Sequence, residues 1–178
     1  MRTSVFCGIS LDGFLARLDG SFDFLDAAGN IPHGFEEFFA SVDTLVIGRG
    51  TYEVVAAFPE WPYGNKRVVV LSTSPLDLAA PRARGANIEQ MSGPPAEIVA
   101  KLESSGAQHA YIDGGITIQN FLRANQIQKL TISRVPVLIG QGIPLFGPVP
   151  QDIQLQHIAT RTYSTGLIQS EYEFLPNR

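Results

Sequence analysis

The chain has 178 residues, 44% hydrophobic and 17% charged, which suits one domain with a substantial core. Its 13 Lys and Arg against 17 Asp and Glu give a net charge of -4 with no basic run, which argues against nucleic acid as the main partner. The single cysteine excludes an intrachain disulfide and a CxxC metal cluster, and no run approaches the ~20 apolar residues of a membrane span. The N-terminal "MRTSVFCGIS" turns polar too soon for a signal peptide, so a cytoplasmic location is expected.

In chain order, "TSVFCGI" (3–9) has the composition of a buried strand, and Cys7 within it reads as an inert, buried thiol. "SLDGFLA" (10–16) ends that strand, with Asp12-Gly13 as a turn signal. "HGFEEFFASV" places Phe35, Phe38, Phe39 and Val42 on one helical stripe. "TLVIG" (44–48) reads as a strand and leads into a short helix, 51–58, that Pro59 stops. "RVVVLS" (67–72) is a further strand. "PPAEIVAKLESSG" carries prolines for a first helical turn and Gly106 for a C-terminal cap. "HAYID" (109–113) is a strand that leads into a helix over 116–125, burying Ile118, Phe121 and Leu122. "KLTISRVPVLI" (129–139) reads as one long strand. "IQLQHIATRTY" and "GLIQSEYEF" alternate apolar and polar residues around "STG" (164–166), the pattern of an antiparallel hairpin with one exposed face. Together these predict an α/β fold over residues 1–178, a mixed sheet covered by helices and closed by the hairpin.

Two strand-to-helix junctions share a design. "TLVIG-RGTYEVV" and "HAYID-GGITIQNF" each run from a buried strand through glycine into a helix with a threonine near its start. A helix N-terminus offers unpaired N–H donors and partial positive charge, and glycine lets a phosphate approach the backbone. Either junction alone reads equally well as a tight turn; the pairing points to a dinucleotide. Arg49 and the "STS" of 72–74 suit the 2′-phosphate of NADP, although a solvent-facing arginine and a polar turn before Pro75 account for the same residues.

Reduction of C=N or C=O needs a proton source, and Asp12, Glu36 and an ordered water are the candidates; Glu37 points off the Phe stripe. His33, His109 and His157 are scattered, with no HExxH and no GxSxG, so neither a metal site nor a serine hydrolase is expected. Trp61, inside "PEWPYG", reads as an anchor for a loop or a partner surface.

"SLDGFLA", "DTLVIGRGTYEVV", "VVVLSTS", "YIDGGITIQNFL" and "LTISRVPVLIGQGIPLF" occur in that order over nearly the whole chain. Together they resemble the dihydrofolate-reductase-like superfamily, and within it the C-terminal reductase domain of the bifunctional riboflavin-biosynthesis deaminase-reductase. The resemblance implies a three-layer α/β/α fold with a mixed, mainly parallel sheet, NADPH as hydride donor, and a homodimer. By position it implies that Gly48, Arg49 and Thr51 meet the adenosine and phosphate side, and that Ser72 and Thr73 lie near the 2′-phosphate. Gly114, Gly115, Ile116 and Thr117 would wrap the pyrophosphate. Ser10, Leu11, Asp12 and Gly13, with Gly140 and Gly142 of the "GQG" loop, would border the nicotinamide and substrate. The HxE and PCxxC signatures of the zinc deaminase half are absent from the sequence. The expected activity is that of an NADPH-dependent reductase of a small heterocyclic or carbonyl substrate, similar to 5-amino-6-(5-phosphoribosylamino)uracil reductase. The alternatives are a non-catalytic nucleotide-binding or scaffold homodimer, and a true dihydrofolate reductase.

Overall fold

Runs of Val, Ile and Leu too short for a buried helix form the centre of a sheet, and the amphipathic segments between them cover it. A computed structural model describes residues 1–175. The strands are β1 (Arg2–Ile9), β2 (Phe14–Ala16), β3 (Thr44–Gly48), β4 (Arg67–Leu71), β5 (Ile88–Met91), β6 (His109–Asp113), β7 (Lys129–Arg134), β8 (Ile143–Pro144), β9 (Leu155–Thr162) and β10 (Ile168–Phe174). The helices are α1 (Phe35–Ser41), α2 (Arg49–Ala56), α3 (Ala79–Ala83), α4 (Pro95–Ser104) and α5 (Gly115–Arg123), with a 3₁₀ helix at Asp23–Ala28.

Eight strands form one sheet in the order β5-β4-β3-β6-β1-β7-β10-β9. The first six are parallel, and the β9–β10 hairpin joins β7 antiparallel. The expected mixed, mainly parallel sheet with its C-terminal hairpin is the observed one. β2 and β8 pair separately, antiparallel, beside the main sheet.

Alternate residues of the central strands enter two cores. Val5, Val46, Ile112 and Leu130 pack with Ile98 and Leu102 of α4 and Ile118 and Phe121 of α5. Phe6, Leu45, Ile47 and Tyr111 pack with Tyr52 and Val55 of α2 on the other face. Each fully buried Val, Leu or Ile contributes about 1.5–3 kcal/mol relative to exposure. The Phe stripe of α1 lies on this second face, where Phe38 stacks on Phe6 at 5.0 Å between centroids.

Three expectations need correction. The long strand 129–139 stops at Arg134, because Pro136 has no N–H to continue a ladder. The helix expected from 51 begins at Arg49, directly on the end of β3. β5, "IEQM", was not expected as a strand: it is an edge strand with three half-buried residues, and so lacks an apolar run.

Candidate active site

Adjacent parallel strands β3 and β6 send their following helices to opposite faces of the sheet, α2 into one core and α5 into the other. A crevice opens where connections diverge in this way, at the carboxyl ends of the strands. Here it is a cleft of about 1110 Å³, bordered by both junctions and by the ends of β4 and β5.

The two junctions interlock. A β-carbon at Gly48 would stand 2.7 Å from Thr117 Oγ1, and one at Gly114 would stand 2.6 Å from Thr51 Oγ1. Each glycine therefore makes room for the threonine of the other junction. Gly114 also has φ +95, a conformation side-chain-bearing residues avoid. Neither helix has a side-chain cap at its start, so the first-turn N–H donors of α2 and α5 stand side by side at the cleft. Gly115 packs differently: a β-carbon there would lie 2.8 Å from Ile143 Cγ2, so its smallness seats β8 against the junction. Arg49 lines the cleft with its Nε donating to Glu53 Oε1 at 2.7 Å. Ser72 and Thr73 line the wall after β4, and Ile116 and Thr117 line the start of α5.

Asp113 was not singled out in the sequence, yet it lines this cleft, as Asp19 and Glu53 also do. It ends β6 on the same side as Tyr111 and opposite Ile47 of β3. Desolvation raises its carboxyl above the ordinary value, only partly offset by the Gly114 N–H. Among the described residues no cation pairs with it. Tyr63, also on the cleft, has its phenol raised by burial and then by the charge of Asp113. The available signal was a lone acidic residue closing an apolar parallel strand directly before a glycine pair.

Other sequence candidates lie elsewhere. Ser10, Leu11, Asp12 and Gly13 form a turn outside the cleft; Leu15 and Ala16 of the following β2 segment line it instead. Ser10 is fully buried, with its Oγ accepting the Phe14 N–H at 3.0 Å, whereas Leu11 is exposed. Asp12 has a structural task. Its carboxylate accepts the Gly140 N–H at 2.7 Å and the Ile139 N–H at 3.2 Å, tying the "GQG" loop to the turn. The Ser10 hydroxyl, and after it these N–H groups, hold Asp12 below the ordinary carboxylate range, which disfavours it as a proton donor. Gly142 packs against the Ala16 carbonyl, so neither it nor Gly140 faces the cleft. Glu36 sits exposed on α1, remote from the cleft lining, while Glu37 borders a smaller concavity of about 410 Å³ with Arg2 and His109.

The Asp12 tie gives a direct expectation. Asp12→Ala should speed amide hydrogen exchange at Ile139 and Gly140 without altering ligand binding in the cleft. Because its carboxyl is lowered in the fold, the tie is complete at neutral pH and is released as pH falls through that lowered value. Unchanged exchange at both amides would remove the anchoring role.

The fold and this cleft can now be set beside known proteins. Residues 4–169 match the RibD C-terminal domain. The chain belongs to the RibD C-terminal domain family. Among relatives, the uncharacterized protein YwjB of Bacillus subtilis (strain 168) is 30% identical over 165 residues, covering 91% of this chain and 92% of its own. A putative riboflavin biosynthesis protein from Shewanella sp. PV-4 is 34% identical with a TM-score of 0.88, the match covering 99% of this chain and 100% of that one. Two more distant structures share the fold alone. One is the Thermotoga maritima diaminohydroxyphosphoribosylaminopyrimidine deaminase/5-amino-6-(5-phosphoribosylamino)uracil reductase (13% identity, TM-score 0.73, 98% of this chain and 56% of that one). The other is Enterococcus faecalis dihydrofolate reductase, complexed with NADP(H) (16%, 0.67, 97% and 96%). The domain is thus dihydrofolate-reductase-like in architecture. No helix among the described residues is long and apolar enough to cross a membrane, and no group of His, Cys, Asp and Glu among them could hold a metal ion.

Proposed function

We propose that this protein is an NADPH-dependent reductase of a small heterocyclic or carbonyl substrate, with Asp113 as its proton donor. The observation that carries the reading is the convergence in one cleft of two uncapped helix N-termini and an unpaired, desolvated carboxyl. The donor set fits a dinucleotide phosphate. The N–H groups of α2 and α5 suit a pyrophosphate, and the Arg49 guanidinium with the Ser72 and Thr73 hydroxyls suits a further phosphate. Gly50 leaves open space beside Arg49, with nothing within 4 Å of where its β-carbon would lie.

Bound in this cleft, NADPH would supply the hydride. The task of Asp113 follows from its environment. As hydride adds to the carbon of a C=O or C=N bond, the bonding pair moves to the oxygen or nitrogen, which takes the Asp113 proton. The carboxylate left behind is reprotonated from water. A carboxyl whose proton affinity is raised by desolvation is suited to this donation, whereas Asp12, whose proton affinity is lowered, is less so. The same reading includes a cytoplasmic homodimer; the exposed Leu155, Ile158 and Ile168 of the β9–β10 hairpin support an apolar contact with a second copy.

The test is a fluorescence titration with NADPH and, in parallel, NADH, followed by NADPH oxidation with pterins, ribityl pyrimidines, flavins and quinones. NADPH should bind selectively, and Arg49→Ala should weaken it about tenfold, the loss of about 1.4 kcal/mol expected for one charge-assisted contact. NADH affinity should hardly change. Binding of neither nucleotide would sink the reductase reading; NADPH binding with no oxidation across the panel would favour the non-catalytic binder.

A further inference from the structure

The cleft has two ends of different chemistry, and α2 runs between them. Arg49 begins the helix, and Val54 and Val55 come about 9 Å along it at 1.5 Å per residue. Past the exit of α2, Phe58, Pro62 and Tyr63 continue the lining. A further wall is the turn that follows β2. There the Arg17 N–H donates to the Ser21 carbonyl at 2.8 Å and the Gly20 N–H to the Arg17 carbonyl at 3.0 Å. Asp19 Oδ1 accepts the Ser21 N–H at 2.9 Å and the Ser21 hydroxyl at 2.7 Å. The turn lies against the later part of α2: a β-carbon at Gly20 would stand 3.5 Å from Val54 Cγ2. It carries Leu18 and Phe22 to the cleft lining, where they remain 68% and 47% exposed. Large apolar side chains left open on a concave surface suit an apolar ligand.

The charges divide the cleft in the same way. Among the described residues, the charged side chains that line it are Arg49, Asp19, Glu53 and Asp113, so Arg49 is its one cation. Arg49 Nε is held by Glu53, and its remaining N–H groups are those assigned above to the cofactor phosphate. Basic side chains on the segments that border the apolar end are committed elsewhere. Arg17 donates to both carboxylate oxygens of Asp23, at 2.6 and 3.1 Å. Arg84 donates to the Phe58 and Ala56 carbonyls at 2.8 and 3.0 Å, and Lys66 Nζ to the Val42 carbonyl at 2.5 Å. Arg2, Lys129 and Arg161 line the separate, smaller concavity, where Glu171 pairs with the last two. A phosphate or carboxylate at the apolar end would therefore lose water and gain no counter-charge, which strongly disfavours it.

We propose that the substrate of this cleft is an uncharged planar ring, conjugated to C=O or C=N and bearing no phosphate or carboxylate. It lies between Leu18 and Phe22 of the turn and Phe58 and Tyr63 beyond α2. This deepens the reductase reading and rests on it. The redox step is the one already written: NADPH gives up a hydride and becomes NADP⁺, and the oxygen or nitrogen of the reduced bond takes the proton. A phosphoribosylated pyrimidine and a folate with its glutamate tail fall outside this class.

The test is calorimetric titration with matched neutral and anionic rings. The pairs are riboflavin and its 5′-phosphate, 1,4-naphthoquinone and its 2-sulfonate, and 6-methyl-7,8-dihydropterin and dihydrofolate. High salt, with a Debye length of about 3 Å at 1 M, keeps the net charge of -4 from deciding the outcome. Wild type and Arg49→Ala are compared, so that an anion seated at the phosphate end is recognised. In both chains the neutral member should bind about tenfold tighter or more. Equal or tighter binding of the anionic members in Arg49→Ala overturns the proposal, as does failure of every neutral ring to bind. Leu18→Arg puts a cation at the apolar end on a side chain that is already exposed, and should improve the anionic members about tenfold. No gain there overturns the assigned seat. NADPH oxidation is followed with the same rings. Selective binding of neutral rings with no NADPH oxidation fails the reductase reading alone. Oxidation that runs as fast with the anionic members fails the substrate class alone.

Discussion

Asp113→Asn should lower turnover by about 10²–10⁴-fold, the contribution of a positioned general acid, while making the protein more stable at neutral pH. The two effects have one origin. Desolvation raises the carboxyl in the folded chain, so the folded state holds its proton more tightly than the unfolded chain does. The stability this confers is complete below the ordinary carboxylate value and is lost as pH rises through the raised one. Above it, the folded protein bears a poorly solvated charge, which asparagine lacks at every pH. Thermal melts should therefore show the variant melting higher than wild type at pH 7 by about 2–4 °C for each ~1 kcal/mol of relief. The difference should vanish near pH 3, where wild-type Asp113 is protonated in both states. A variant that loses activity but gains no stability at pH 7 would mean that Asp113 is better solvated than its surroundings indicate. One that keeps full activity would remove it as the acid.

The second large effect is expected at the interlocked glycines. Gly114→Ala should cost about 2–5 kcal/mol by urea denaturation and abolish nucleotide binding, because two penalties coincide. A side chain at φ +95 is strained by about 1–3 kcal/mol, and the new β-carbon collides with Thr51 Oγ1. Adding Thr51→Ala should recover the collision but not the strain. Gly48→Ala is the control: Gly48 has an ordinary φ of -82, so only its contact with Thr117 Oγ1 is at stake. There Thr117→Ala should restore most of the loss. Additive losses in both double mutants, with no coupling, would show that the junctions do not interlock.

Much of the fold was legible because its cause is local. The Val- and Ile-rich runs at 44–48, 67–72 and 109–113 are strands because each is too short for a buried helix and apolar on both faces. The hairpin was legible from its alternation and from the turn at "STG". β5 and the β2–β8 pair were not, since a polar edge strand and two- or three-residue strands carry no periodic signal. The site was only partly legible. Both glycine junctions were visible as strand–glycine–helix segments, but the packing of β8 against Gly115, which also lines the cleft, was not. Asp12 was correctly a turn residue, yet its carboxylate is used by amides 127 and 128 positions away.

The amino-acid sequence by itself determined the strand and helix types, the order in which they alternate, and the two glycine junctions, since periodicity and turn chemistry act between near neighbours. Only the tertiary structure decided that β3 lies beside β6, so that the junctions share a cleft with Asp113 and Tyr63 while Asp12 and Glu36 stay outside it. Strand order is set by packing between distant segments. The solvation of a carboxyl depends on which distant segments surround it, and a tyrosine fifty residues upstream in the chain comes to line the same cleft only when the sheet has formed.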